Sequence, residues 1–189
     1  MMQHSSSLCP NAEAVFLRKE AAMRFLPLSP DDSDAILRMS RLATEIVKEH
    51  FDPLIGPAQN DYMIAHYQTP QAIADQLANG YHYFFVCDDA GTPIGFLAYV
   101  LEPKRLYLNK FYLHKNHRGK GYSRAMRDFV IHAARTAGLD RIEFNVFKHN
   151  DATLAAYDAL GFKRLRAEKN DIGNGFILDD YVYGLTLEK

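Results

Sequence analysis

From Met23 onward the apolar positions follow two periods. Runs at 23–26, 81–88, 94–101, 106–113, 141–147, 162–166 and 181–187 are rich in β-branched and aromatic residues and read as strands. Other segments repeat apolar residues at helical spacing. Ser29-Pro30-Asp31-Asp32 supplies a cap, an early proline and first-turn acids, and Ile36, Leu37, Ala43, Ile46 and Val47 then form a stripe, which predicts a helix over about 30–48. Thr69-Pro70 repeats the device ahead of Ile73 and Leu77, with Gly80 as the stop. A third helix opens at Ser123 and carries Met126, Phe129, Val130, Ala133 and Ala137 on one side, ending at Gly138. A fourth runs from Asn150 or Asp151 to Leu160, stopped by Gly161. The segment between the first two helices and the stretch 171–175 read as loops. The order β-α-α-β-β-β-α-β-α-β-β is an α+β plan: a single mixed, mostly antiparallel sheet flanked by helices.

Composition narrows the classes. With 189 residues, 48% hydrophobic and 24% charged, the chain is the size of one domain with one sizeable core. A net charge of −1 argues against nucleic-acid or anionic-membrane partners. Only Lys110, Lys115, Arg118, Lys120, Arg124 and Arg127 form a basic group, which suits one phosphate-rich ligand. Two cysteines, Cys9 and Cys87, give no disulfide framework and no thiolate metal site, so a cytoplasmic protein without a metal is expected. Residues 1–22, with Ser5-Ser6-Ser7, read as a disordered tail ahead of a domain spanning 23–189.

The chemistry concentrates in Arg118-Gly119-Lys120-Gly121-Tyr122-Ser123, which joins a strand to a helix. Glycines let backbone approach a ligand, and the free N–H groups and dipole of a helix start favour an anion. The spacing fits neither G-x-G-x-x-G nor G-x-x-x-x-G-K-[ST]. It resembles the R-x-x-G-x-G/A motif of the GCN5-related N-acetyltransferases, with Ser123 in place of the usual Gly or Ala. Asn150-x-x-Thr153-x-x-x-Tyr157-x-x-x-Gly161-Phe162 resembles the same family's N-x-x-A-x-x-x-Y-x-x-x-G-F. Read without the resemblance, the first is a basic turn opening a surface helix, and the second is a helix cap and a packed tyrosine.

The resemblance implies the acyl-CoA N-acyltransferase fold and acetyl-CoA as co-substrate. Its pyrophosphate would lie on Arg118, Gly119, Lys120, Gly121, Tyr122, Ser123 and Arg124. Its pantetheine arm would run along a strand that splays at a bulge, implicating Phe111, Tyr112 and Leu113, with a main-chain N–H there for the oxyanion. Asn150 would touch the cofactor, and Tyr157 would protonate the leaving thiolate. The acceptor would be a primary amine, with no nucleic acid or membrane as partner and a homodimer left open. The segments at 50–63 and 171–181 resemble the bacterial branch related to spermidine/spermine N-acetyltransferases, so Asp52, Asp61, Asp179 and Asp180 are expected to line a polyamine groove. The strand glutamate that many relatives use as base is absent at Asn109-Lys110-Phe111. Glu143, Asp179, Asp180 or a water chain could take its place. A non-catalytic acyl-CoA-binding regulator is the alternative reading.

Overall fold

Among the described residues eight strands form one sheet in the order β1-β2-β3-β4-β5-β6-β8-β7. They are β1 (Ala14–Arg18), β2 (Ala21–Pro27), β3 (Tyr81–Cys87), β4 (Pro93–Glu102), β5 (Arg105–Leu113), β6 (Arg141–Phe147), β7 (Lys163–Gly173) and β8 (Phe176–Thr186). The structure, a computed structural model, describes residues 14–18 and 21–188. Every neighbouring pair is antiparallel except β5 with β6. The sheet is therefore mixed and mostly antiparallel, as the apolar pattern predicts.

Helices cover both faces. On one side α1 (Ser33–Ile55) and α3 (Pro70–Ala78) bury Met39, Ala43, Ile46, Val47 and Ile73 against Tyr83, Phe96 and Ala98. On the other, α4 (Tyr122–Thr136) packs Met126, Phe129 and Val130 onto Phe25, Leu97, Leu106 and Leu108. Leu154 and Tyr157 of α5 (Asp151–Ala159) extend that second core. No described helix is long and apolar enough to cross a membrane.

Four expectations are corrected. The stretch Ala14–Arg18 pairs with β2 from Arg18↔Ala21 to Ala14↔Phe25, so a disordered tail over 1–22 does not hold there, and the strand expected to be first and to start at Met23 is the second and starts at Ala21. Residues 1–13, 19 and 20, also assigned to that tail, lie outside the described residues. Helix α1 does not stop near 48. It continues through Pro53 to Ile55 because Phe51, Leu54 and Ile55 add another apolar turn, and Gly56, at φ +82°, ends it. The loop expected after it is mostly α2 (Pro57–Tyr67), which starts on a proline and buries only Asn60, so it carries almost no helical periodicity. Finally, 171–175 is the tip of a hairpin: β7 and β8 pair down to Gly173↔Phe176, with Gly173, Asn174 and Gly175 all at positive φ.

Two local features prepare the site. Asn109 is an extra residue in β5, since Ala98 faces Lys110 while Tyr99 faces Leu108. That bulge resets the alternation, so Tyr107, Asn109, Lys110 and Tyr112 share one face while Leu106 and Leu108 stay in the opposite core. Gly95 of β4 then lets β5 come close, because a Cβ there would collide with the Tyr112 carbonyl oxygen.

Candidate active site

Parallel strands β5 and β6 pair only at Leu106↔Ile142 and Tyr107↔Glu143. Beyond that point they part, and the β6-facing edge of β5 from Leu108 to Leu113 has no strand beside it. A buried, unpaired strand edge is costly unless something completes it. The parting opens a cleft on each side of the sheet.

The first cleft has a cavity of about 310 Å³. Phe111, Tyr112 and Leu113 form one wall, Val146 and Phe147 another, and Asn150, Thr153 and Tyr157 of the α5 region a third. Arg118, Gly119 and Ser123 stand at its mouth. A short 3₁₀ turn, Lys115–His117, carries the chain from β5 to Arg118. Gly119 and Gly121 hold φ of +75° and +85° with nothing within 4 Å of a hypothetical Cβ. Gly121 in the αL conformation is the N-cap of α4, correcting the expectation that the helix opens at Ser123. No side chain caps that helix end, so its first amides are free to meet an anion.

Of the residues predicted to hold the cofactor, Phe111, Tyr112, Leu113, Arg118, Gly119, Ser123 and Asn150 line this cavity, together with Tyr157. Lys120, Gly121, Tyr122 and Arg124 belong to the same turn but not to the cavity wall, with Lys120, Gly121 and Arg124 exposed. Arg118 donates from Nε to the Leu113 carbonyl at 3.1 Å, which ties the turn to the end of β5.

Asn150 is the N-cap residue of α5, yet its side chain makes no capping bond. It is buried and meets His50 Nε2 at 2.9 Å, while the Arg118 guanidinium lies 3.4 Å from His50 Nδ1. The Asn150 atom in this contact is the amide nitrogen Nδ2, which only donates, so His50 Nε2 accepts from it. Burial and then the Arg118 charge lower the His50 pKa, which keeps the ring neutral in this role. His50 comes from α1 and was missed as a site residue because the sequence reading ended that helix near 48.

Tyr157 sits among Phe111, Phe144, Phe162 and Tyr183, with the Phe144 ring centroid 4.6 Å away. The ring is packed, and it also lines the cavity. Burial, with Tyr112 nearby, raises its pKa, so the hydroxyl keeps its proton.

The second cleft has a cavity of about 380 Å³ and shares Phe51, Tyr112, Asn145 and Phe147 with the first. The shared residues include Tyr112 of β5 and Asn145 and Phe147 of β6, the two strands that part here. Tyr67, Tyr81, Tyr107, Leu178 and Met63 make a largely aromatic wall, broken by Asn109, Lys110 and Asp180. Helix α2 and the β7–β8 hairpin close over it: Tyr62 donates its hydroxyl to the Ile172 carbonyl at 2.6 Å, and Gln59 Nε2 donates to Ile177 O at 3.3 Å. At the vertex, Tyr107 donates its hydroxyl to Asn145 Oδ1 at 3.1 Å, joining β5 to β6 where they separate. A separate depression of about 550 Å³ beside Lys104, Arg135 and Glu188 contains none of the motif residues.

The four acids expected in a polyamine groove are not brought together. Asp52 and Asp61 both pair with Lys48, at 3.5 and 2.5 Å. Asp179 is held by Lys148 and Lys169. Only Asp180 lines the cavity. Burial raises its pKa to about 6, against a hydrogen bond from Asn145 that lowers it. Glu143 is placed elsewhere: its Oε2 takes Arg105 Nη1 at 2.7 Å and Arg166 Nη1 at 3.2 Å. Burial works to raise that carboxyl, but the two arginine hydrogen bonds outweigh it and hold it low, so Glu143 is a structural anion and not a proton acceptor.

The acetyltransferase (GNAT) family model matches residues 44–162, which takes in β5, the glycine turn, β6 and α5. An uncharacterized N-acetyltransferase of Bacillus subtilis (strain 168), YdgE, is 28% identical over 104 residues, half of this chain and 66% of that protein's length. The fold is similar to the PaiA N-acetyltransferase of Thermoplasma acidophilum in complex with coenzyme A, with a TM-score of 0.70 and 15% identity over 87% of this chain and 98% of that one. It is also similar to yncA of Salmonella typhimurium, solved with its cofactor acetyl-CoA, at a TM-score of 0.58 and 20% identity over 89% and 95% of the two chains.

Proposed function

Because the chain belongs to the acetyltransferase (GNAT) family, we propose that it transfers an acetyl group from acetyl-CoA directly to a primary amine. The carrying observation is the parting of β5 and β6 after Tyr107, which joins an anion-ready turn on one side of the sheet to an aromatic pocket on the other. Residues on the page fit the co-substrate. The uncapped start of α4 with Gly119 and Gly121 would hold the pyrophosphate, and the free edge of β5 would take the pantetheine arm. When bound, acetyl-CoA supplies an activated acyl group whose leaving atom is sulfur.

The chain's residues then have distinct tasks. Asp180 takes the proton from the acceptor ammonium, a task for which a carboxylate with a pKa near 6 is well matched at neutral pH. Free N–H groups on the β6-facing edge of β5 are in position to donate to a carbonyl oxygen as it gains charge. Tyr157 holds a proton at its hydroxyl in a water-poor wall and gives it to the departing sulfur. His50, Asn150 and Arg118 keep the mouth of the cleft in register with β5, so orientation supplies much of the acceleration. No covalent acyl-enzyme is needed.

Amide hydrogen exchange tests the placement. Adding acetyl-CoA should slow exchange at amides of 108–113 and 119–124, while Ile142 and Glu143, already in the ladder, change little. Protection confined to other segments would move the cofactor out of this cleft. The regulator reading has a specific difficulty, since a protein that only sensed acyl-CoA would have no use for the second pocket and its buried carboxylate.

A further inference from the structure

The acceptor pocket contains a cation without a counter-ion. Lys110 is only 9% exposed, lines the second cavity, and has no carboxylate partner among the described residues. Its Nζ lies over the Tyr67 ring, 5.9 Å from the centroid. Acids on the elements that frame the cleft pair with other cations: Glu49 with Lys115, Asp52 and Asp61 with Lys48, Glu168 with Arg166, and Asp179 with two lysines. Asp180 lines the same cavity but makes no ion pair with Lys110, so two opposite charges face one space without neutralising each other.

Burying an ammonium without a partner is expensive, and such groups are retained where a ligand completes them. Next to it, the Asn109 amide oxygen is buried with no donor. The β5 bulge is what turns both neighbours into the pocket, where ordinary alternation would put only one there. Between these groups the walls are Tyr67, Tyr81, Tyr107, Phe147 and Leu178. Desolvation lowers the Lys110 pKa to about 8, so the ammonium form still dominates at pH 7.

Building on the acetyltransferase reading above, we propose that the acceptor is a small amine that also carries an anionic group, a hydrophobic amino acid or an amine of similar charge pattern, with Lys110 holding the anion while Asp180 faces the amine. A second ammonium in that position would meet Lys110 and be repelled. This geometry selects against the polyamine class expected from the sequence.

The test compares amine pairs that differ only in the anion: tyrosine with tyramine, leucine with isoamylamine, and an aminoalkyl phosphonate alongside the carboxylates, with putrescine as the dication. The wild type should favour the anion-bearing member at least tenfold in kcat/KM and turn putrescine over least. Lys110→Met should erase the preference by raising KM for the anionic acceptor about tenfold with a smaller change in kcat, and Lys110→Arg should restore most of it. Lys110→Glu should shift the preference toward putrescine. Preference for the phosphonate over the carboxylates would name the anion and keep the proposal. Acetyl-CoA affinity by calorimetry checks that each variant is folded. Equal efficiency within each pair, unchanged in Lys110→Met, would overturn the Lys110 assignment and leave acetyl transfer standing. Acetyl-CoA binding with no thiol release from any amine, anionic or not, would instead overturn the transferase reading and this proposal with it.

Discussion

Asn150 and His50, 100 residues apart in the chain, meet at 2.9 Å in the wall of the first cleft. The contact joins the start of α5 to the last turns of α1, and Arg118 touches the other side of the same imidazole. Replacing His50 with alanine leaves the buried Asn150 amide short of a partner and frees Arg118 from one of its two anchors. His50→Ala and Asn150→Ala should each weaken acetyl-CoA binding several-fold. Their double variant should lose much less than the sum, because both remove one interaction. Calorimetry on the four proteins of the cycle measures the coupling, and strict additivity would mean that the two side chains act separately.

Gly121 holds φ +85° at the N-cap of α4. The space around its missing Cβ is open, so a substitution there is opposed by backbone strain, of order 1–3 kcal/mol for a residue held in that region, and not by a clash. Gly121→Val should therefore fold, with the turn displaced, and bind acetyl-CoA at least several-fold more weakly. An unaltered affinity in a folded Gly121→Val protein would take the turn out of the site.

Tyr157→Phe keeps the ring that packs on Phe144 and Phe162 and deletes only the proton. Turnover should fall by ~10²–10⁴, the usual contribution of a positioned acid, with acetyl-CoA affinity nearly unchanged. Steady-state kinetics beside calorimetry separates the two effects. Turnover within twofold of the parent would leave Tyr157 as a packing residue only.

Asp180 predicts two pH dependences. Its carboxylate form is the base, so kcat/KM should fall on the acid side through about pH 6, and Asp180→Asn should lose that limb along with most activity. Its folded pKa lies above the unfolded value, so the protonated form is the one the fold favours. The cost of burying its charge is absent below the model-peptide range near 4, grows as pH rises to about 6, and stays constant above that. Asp180→Asn should therefore raise Tm at pH 8 and lose that advantage toward pH 4. The other groups facing this carboxyl, Asn145, Asp179, Glu168 and Lys148, are unchanged by the substitution. Lower stability of the variant at pH 8 would show that Asp180 is held by structural hydrogen bonds instead.

The strand, glycine turn and helix around residues 118–123 were legible in the sequence, because such a unit is local. Arg118, Gly121, Asn150 and Tyr157 lie in two short segments whose spacing carries the geometry. Asp180 apart, the residues of the second pocket were not legible, for three physical reasons. Helix α2 buries only Asn60, so it produces no apolar stripe and hides Met63 and Tyr67 in an apparent loop. The bulge at Asn109 breaks the two-residue alternation of β5, so Lys110 falls on the parity of Leu106 and Leu108 in the sequence but on the opposite face in the fold. Side-chain pairing decides which acids are available, and no spacing reveals that Lys48 takes Asp52 and Asp61 or that Lys148 takes Asp179. Lys110 did carry a usable signal: a lone charge in the run Leu106 to Leu113 is out of place in an ordinary strand.

Direct transfer is tested most simply by following free thiol released from acetyl-CoA across a panel of primary amines while quantifying the acetylated amine formed. Thiol release should depend on the amine, match product one for one, and show no lag or burst, as expected when no acyl-enzyme accumulates. Tight acetyl-CoA binding with no amine-dependent thiol release across the panel would contradict catalysis and assign the cleft to ligand sensing.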